Sequence, residues 1–512
     1  MRKRPALAVV LSGTFLANLD VFIVVVAVPA IERGLHANEG QQQLVLAGYQ
    51  LVYGLGLVAG GRLGDHVGAF RIFGIGTALF TAASLGCGLA PTAGALVAAR
   101  LVQGLGTALV VPQAYRTAQT LFAGDARRQA FALTGAVMGS GAVCGQLLGG
   151  WLLAADVLGL GWRAVFLVNV PVGVAALAAL PWVTGTPRRP RQPGHGPLPE
   201  PGPKTERAGG RGPEAEPERG PGRRSAGPRV RLDLPGTALA ALALGLVTAP
   251  LVTAGESGPP WWTVPCAVVS LPAAVLFLRH ERAVQRRGGD PLLPPHLLRL
   301  PGFRPGLALV ALVNSGLGAF ILILGLLLQR GLRQGPWETG LGMLPTAGAF
   351  VVTSLLGPRL PVAPFRLLCG AALLSTAGYL GCVVSAVRGD LPWLLVGLGV
   401  SGAGLGLFVT PSLAVTLRTV PARLSGAASG VLSTVQQLAA ALGVCVFGTL
   451  FFALVHSGTG HPGAFAAVTA AIATTTAAGG VLAAVLRPAA PSPEAAAPAA
   501  AGDGAGRPEA TH

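Results

Sequence analysis

Charge is what this sequence lacks. Only 11% of its 512 residues are Asp, Glu, Lys or Arg, against about 25% in soluble domains. A water-facing surface of ordinary polarity is therefore excluded. Lysine is the scarcest charge: Lys3 and Lys204 are the only two. Neither follows a glycine, so no phosphate-cradling GxxxxGK loop exists and a nucleotide-driven pump is excluded. Cysteine is limited to six residues, with no CxxC pair. Cys87, Cys144, Cys266, Cys369, Cys382 and Cys445 all fall in apolar runs and read as small core hydrophobes. No HExxH pair and no GxSxG elbow occurs, so the sequence offers no enzyme chemistry that can be named, and no cofactor or metal is expected. Aromatic residues make up 6%, too few to favour a stacking cage for flat dyes.

What is present is apolar length. The chain is 52% hydrophobic, with 75 Gly and 42 Pro, and its mean hydropathy is +0.62. Fourteen runs are long enough to be read as transmembrane helices, the first over 6–30. The net charge of +17 does not point to nucleic acid. No basic stripe alternates with aromatics, and the positive charges lie between the apolar runs. With the N-terminus inside, thirty-one basic residues fall on the inner side and five on the outer. Both termini are therefore expected in the cytoplasm. All seven Trp stand near the ends of the runs, as interfacial anchors do. The bilayer is thus the first expected partner; nucleic acid and nucleotide are not.

The runs divide the chain into six segments: a bundle over 6–184, a cytoplasmic loop over 185–233, two inserted helices over 234–279, a linker over 280–304, a second bundle over 305–486 and a tail over 487–512. The loop and tail are rich in Pro, Gly and charge or Ala, and are expected to be disordered. A faint internal echo links the bundles. QGLGTALVVP (103–112) in the fourth run resembles GAGLGLFVTP (402–411) in the twelfth. Parallel repeats of this kind imply two six-helix bundles facing a site near the midplane.

Two ionisable residues lie deep inside runs, Asp20 and Arg100. Each costs about 2.5–3.5 kcal/mol to insert, so such groups usually face a cavity or each other. One reading is a structural ion pair. The other is a proton-carrying carboxylate beside a fixed positive charge, with burial opposing and the guanidinium favouring the ionised carboxylate. Asn18, Gln50, Gln146, Asn314, Gln329 and Gln436 are the candidates for lining a substrate cavity.

Several motifs carry a resemblance to the major facilitator superfamily, and within it to the fourteen-helix drug:proton antiporters. LDVFIVVVAVP (19–29) resembles the first-helix motif, with Phe22 and Val25 where Thr and Asn are frequent. GRLGDHVGAFR (61–71) resembles the cytoplasmic loop motif at Gly61, Leu63, Asp65, Gly68 and Arg71. There the family's Asp caps a helix and pairs with Arg; His66 and Ala69 depart from the basic pattern. ARLVQGLG (99–106) resembles the fourth-helix motif at Arg100, Gln103, Gly104 and Gly106. GAVCGQLLGG (141–150) resembles the antiporter motif at Gly141, Gly145, Gly149 and Gly150, with Gln146 in place of Pro. GWRAVFLVNVPVG (161–173) and GAASGVLSTVQQLAAALG (426–443) fit the same family.

The resemblance implies an all-α fold of two six-helix bundles plus two inserted helices. It also implies export of a small amphiphile in exchange for protons across a bacterial cytoplasmic membrane, by a monomer. A proton-coupled importer on the same fold, and a non-transporting receptor or scaffold, stay open as alternatives. A single deep acidic residue favours neutral or singly charged compounds.

Overall fold

A computed structural model describes residues 3–184, 233–253 and 261–485, apart from 288, 290, 295, 301, 419, 422 and 423. The loop and tail expected to be disordered lie, but for Asp233, outside the described residues. The described chain is helical, with no strand among the described residues. That is what a lipid environment imposes, because only a helix satisfies every backbone group within its own segment unless a barrel closes.

The helices of the first half are α1 (Lys3–Leu35), α2 (Glu39–Val67), α3 (Ala69–Gly88), α4 (Ala93–Leu121), α5 (Gly124–Ala154) and α6 (Gly161–Thr184). Two more follow, α7 (Leu234–Thr253) and α8 (Thr263–Arg286). The second half holds α9 (Phe303–Leu326), extended by a π-turn over Leu327–Gly331, then α10 (Pro336–Leu356) and α11 (Pro364–Arg388). It ends with α12 (Leu391–Leu417), α13 (Ser425–Leu454) and α14 (Gly460–Val485). Among the described residues, twelve stretches are long and apolar enough to cross a membrane. One of these, Gly426–Val485, contains both α13 and α14, which part at a π-turn where Gly458 has φ 90°. The apolar part of α7, Pro235–Leu251, is shorter than the others.

Local chemistry sets the helix ends. Asn38 and Gln41 form a reciprocal capping box at the start of α2, at 2.8 and 3.0 Å. Thr92 Oγ1 accepts the Ala95 N–H at the start of α4. Pro336 and Pro364 occupy the first turns of α10 and α11, where a missing N–H costs nothing. Several helices run past the apolar stretch that announces them. α8 continues to Arg286 rather than ending at 279, because Leu278 to Arg286 stay on the 3.6-residue spiral after hydropathy has fallen.

Among α1–α6 the main pairings are α2 with α4, α1 with α5, α3 with α4, α3 with α6 and α1 with α6. Among α9–α14 the same pattern recurs: α10 with α12, α9 with α13, α11 with α12, α11 with α14 and α9 with α14. The two sets meet along two seams, α2 against α13 and α5 against α10. The α7–α8 pair leans on one seam, with α7 touching both α2 and α13. There Thr449 donates to the Leu251 carbonyl at 2.7 Å.

Small residues let backbones approach where membrane helices have little hydrophobic drive to associate. A Cβ at Gly60 of α2 would overlap the Ala108 carbonyl oxygen of α4. A Cβ at Gly104 would stand 2.5 Å from the Tyr49 carbonyl oxygen. Gly370 of α11, by contrast, faces open space. Gly60→Ala is therefore expected to destabilise by about 1–3 kcal/mol through overpacking, and Gly370→Ala to stabilise by about 0.4–1 kcal/mol. Thermal unfolding of the two variants in detergent, compared with the parent, checks the opposite signs.

Candidate functional site

Asp20 stands in the middle of α1, and its side chain is wholly buried. Four polar side chains from three other helices close around it, each equally buried. Arg100 of α4 donates from Nη1 to Asp20 Oδ2 in a buried ion pair. Gln103, one turn further along α4, donates to Asp20 Oδ1 at 2.8 Å. Asn169 of α6 donates to the same oxygen at 2.9 Å. Ser84 of α3 joins the network as acceptor from Gln103 and Asn169 at 3.2 and 3.1 Å, and donates to the Phe166 carbonyl at 2.9 Å.

The guanidinium has partners besides the carboxylate. Arg100 Nε donates to the Val45 carbonyl of α2 at 2.9 Å and Nη1 also to Gln103 Oε1 at 2.7 Å. Its plane lies 4.2 Å from the Tyr49 ring centroid, a cation–π contact in a desolvated setting. Tyr49 is itself held through its hydroxyl by Thr107 at 2.8 Å. A buried charge is tolerable only when paired and hydrogen-bonded, and this one recruits helices α1, α2, α3, α4 and α6 to achieve it.

The expected pair of Asp20 and Arg100 is thus brought together, with Gln103. Asn169 and Ser84 were not anticipated. Asn169 sits within GWRAVFLVNVPVG as the one amide of that run, and that isolation was the available signal. Glu281 was also missed. It is 1% exposed and lies near the end of α8, in the extension beyond the expected boundary. Among the described residues no cluster of His, Cys, Asp and Glu could hold a metal ion.

The glycines of α5 form the other wall of α1. A Cβ at Gly141, Gly145 or Gly149 would stand 2.9, 2.6 or 3.0 Å from atoms of Phe15, Leu19 and Ile23. These residues bracket Asp20, so the α5 glycines set its depth and rotation. Gly150 and Gln146 turn the opposite way. A Cβ at Gly150 would meet the Pro336 carbonyl oxygen at 2.7 Å, and Gly340 of α10 approaches the Gln146 carbonyl equally closely.

In the loop motif, Asp65 pairs with Arg116 of α4. It does not cap α3, whose N-cap residue is Gly68, with φ 105° and no side-chain hydrogen bond to the helix end. Arg71 points into solvent. Gly61 has room to spare, 3.9 Å from Pro112, whereas its neighbours Gly60 and Gly64 are the ones pressed against α4. Gly106 serves α3 instead, a Cβ there standing 2.7 Å from the Phe80 backbone.

The six cavity candidates separate. Asn18 and Asn314 donate to carbonyls one turn back in their own helices, Thr14 and Val310, at 2.9 and 2.8 Å. Gln50 of α2 and Gln146 of α5 are buried on the two seam-forming helices, and each has an Oε1 without a hydrogen-bond partner. Gln436 is half-buried on α13. Gln329 belongs elsewhere: it donates to the Val26 carbonyl at 2.9 Å, stitching the end of α9 to α1. Beside it Arg330 pairs with Glu32 of α1 and donates to Gln42 of α2 at 3.2 Å. His456 of the π-turn after α13 lies 3.7 Å from Glu39 of α2. Glu32–Arg330 and Glu39–His456 both cross between the two halves at this α1–α2 end.

Fold and site together define a polytopic helical membrane protein of two packed halves, with a fully liganded carboxylate buried in one of them. Its sequence matches the Major Facilitator Superfamily model over residues 10–444, and the chain belongs to that family. It is 34% identical over 462 residues to a probable actinorhodin transporter of Streptomyces coelicolor, covering 89% of this chain and 74% of that one. It is 33% identical to the puromycin resistance protein pur8 of Streptomyces alboniger, over 87% and 81% of the chains. The cephamycin export protein CmcT of Amycolatopsis lactamdurans is 31% identical, over 87% and 84%. Among solved structures, the xylose transporter XylE from E. coli, in a partially occluded inward-open conformation, superposes with a TM-score of 0.58 at 12% identity. It covers 93% of this chain and 96% of its own, a likeness of fold.

Removing one partner of a buried ion pair strands the other. Arg100→Leu is expected to destabilise by about 3–5 kcal/mol. Asp20→Asn with Arg100→Leu should recover much of that loss, giving a coupling energy of the order of 1–3 kcal/mol in a double-mutant cycle. Arg100→Lys should not substitute, since an ammonium cannot serve Asp20, Gln103 and Val45 while stacking on Tyr49. Detergent-phase unfolding of these three variants and of Asp20→Asn alone measures this; strict additivity would show that the pair is not a unit.

Proposed function

We propose that the protein is a proton-coupled exporter of antibiotic-like or other small amphiphilic compounds, with Asp20 as the proton carrier. The observation that carries this reading is the Asp20 site: a carboxylate sealed from solvent, ionically paired with Arg100 and holding amide donors from two further side chains. Relatives at 31–34% identity are named as exporters or resistance proteins, which supports export of such a compound.

The donor set suits an ionised carboxylate, because all the neighbours donate and a carboxylate only accepts. Protonation removes the charge that Arg100 neutralises and turns one acceptor oxygen into a donor. Asn169 Oδ1 is buried without a partner, so a half-turn of that amide presents the acceptor a protonated Asp20 needs. The two states of Asp20 thus favour different arrangements of α1 against α4 and α6. Twelve residues along α1, about 18 Å away, stands Glu32 and its link to Arg330. Movement of α1 is transmitted to that contact, and alternation between the halves follows. Gln50 and Gln146, with free acceptors on the seam helices, offer polar contacts to a compound between the halves.

In this reading the chain crosses the bacterial cytoplasmic membrane fourteen times, with α7 as the short span, two six-helix bundles and both termini in the cytoplasm. The Arg-rich connections then face inward. The Glu32–Arg330 contact lies on the outer side and closes it. The loop motif of Gly61, Asp65, Gly68 and Arg71 lies on the inner side, where Asp65–Arg116 braces α2 against α4. The working unit is a monomer.

In inside-out vesicles given an imposed pH gradient, acid inside, the parent should accumulate a transported compound. Asp20→Asn should lose gradient-driven accumulation by about 10-fold or more, as expected if each pH unit is worth about 1.4 kcal/mol to the parent, while still binding the compound. Equal accumulation by both would end the role given to Asp20, and accumulation only under the opposite gradient would make the protein an importer.

A further inference from the structure

The α7–α8 pair and the segment after it carry a site that transport leaves unused. A cavity of about 340 Å³ is lined by Arg282, Gln285, Arg286, His296 and Arg299. It adjoins a second of about 150 Å³, which shares Arg282 and Arg299 and adds Leu278, Leu293 and Leu298 as an apolar floor. Arg304 and Glu281 complete that second cavity.

This is a built site. The short turn Leu297–Arg299 is anchored by Leu297, which is fully buried. Gln285 and His296 are hydrogen-bonded at 2.9 Å, joining α8 to that turn. Glu281 Oε2 accepts the Leu293 N–H at 2.6 Å and holds the segment to α8. Arg282, Arg286 and Arg299 are exposed, and among the described residues none of the three has a carboxylate within ion-pairing distance. Three guanidiniums therefore converge on one cavity, and among the described residues no carboxylate pairs with them.

The helix shows what would compensate it. Val264, Val268, Leu271, Val275 and Leu278 are all exposed, and their spacing of three and four puts them in one stripe along α8. Arg282 and Arg286 continue that stripe at the same spacing. One face of α8 thus passes from about four turns of bare aliphatic side chains directly into a basic pocket. Apolar chain below and anionic group above is the shape of a phospholipid at the boundary between hydrocarbon and headgroup. Basic pockets at that depth attract anionic lipid.

We propose that this pocket binds the phosphate headgroup of an anionic phospholipid, with its acyl chains laid along the α8 stripe. The guanidiniums take the phosphate oxygens through charge-assisted hydrogen bonds. The site is tied to the loop motif by a hydrogen bond: Arg62, next to Gly61, donates to the Pro291 carbonyl at 2.6 Å, in the segment that Glu281 secures. Bound lipid therefore steadies the linker on which α2 leans.

The test uses the full-length protein purified in non-ionic detergent, challenged with phosphatidylglycerol or phosphatidylcholine and observed by native mass spectrometry. The parent should retain phosphatidylglycerol in preference. Each arginine lost should weaken that retention roughly fivefold, so Arg282→Gln, Arg286→Gln and Arg299→Gln together should abolish the preference. Arg359→Gln with Arg366→Gln, which removes charge elsewhere on the same side, should leave it intact. If the triple variant elutes as an aggregate, the single Arg299→Gln decides by the same fivefold criterion. Equal retention of both lipids by the parent, or undiminished preference in the arginine variants, overturns the proposal. So does displacement of phosphatidylglycerol by millimolar inorganic phosphate, which would make this a site for a free anion. None of these readouts depends on transport, so the lipid site and the export reading fail separately.

Discussion

The buried pair of Asp20 and Arg100 is the constraint on which the first half of the molecule is organised. Neither charge can reach water, and two ions taken from water recover their cost only if geometry and additional hydrogen bonds are good. The chain meets that demand with donors from α4 and α6, which Ser84 of α3 steadies as their second acceptor, and with a carbonyl from α2. A helix that moved independently would strand one of these groups. The pair therefore does for five helices what a hydrophobic core does in water, where lipid gives side chains little reason to prefer each other.

Such convergence needs backbones close enough for short side chains to meet, and glycine supplies this. Gly104 lets α4 approach Tyr49 of α2, and Gly145 lets α5 approach Leu19, the residue before Asp20. Gly443 of α13 repeats the arrangement against Ser315 of α9, but with no charge at the centre. The two halves thus share one packing pattern, and among the described residues the fully buried pair of carboxylate and guanidinium lies in the first.

The legible parts were those whose signal is local. A carboxylate and a guanidinium in apolar runs are conspicuous, and Gln103 lies one helical turn from Arg100. The helices themselves announce their presence by length and hydropathy, though their ends do not, as the overrun of α8 shows. Asn169 and Ser84 were obscured because isolated polar side chains are common in membrane helices, and their meaning depends on a partner as much as 149 residues away. The Glu32–Arg330 contact was hidden for the same reason, both residues reading as ordinary loop charges. In the loop motif Asp65 pairs with an arginine that the motif does not contain, because Arg116 comes from another helix. The pressed glycines there, Gly60 and Gly64, lie one and four positions from those the pattern marked, since they are the ones on the face of α2 that meets α4.

Magnitudes order the two ion pairs along α1. Glu32 and Arg330 remain 36% and 24% exposed, and a pair so open to solvent is worth about 0–1 kcal/mol. Breaking Asp20 from Arg100 by loss of one partner costs about 3–5 kcal/mol. A proton crossing one pH unit releases about 1.4 kcal/mol, and one crossing 100 mV about 2.3 kcal/mol. The two terms together are comparable with the cost of parting Asp20 from Arg100 and exceed the Glu32–Arg330 contact several-fold. In the proposed mechanism, protonation of Asp20 removes the charge that Arg100 neutralises and so lowers the cost of parting the buried pair. That makes the Asp20 site the proposed point of control and the Glu32–Arg330 contact its follower.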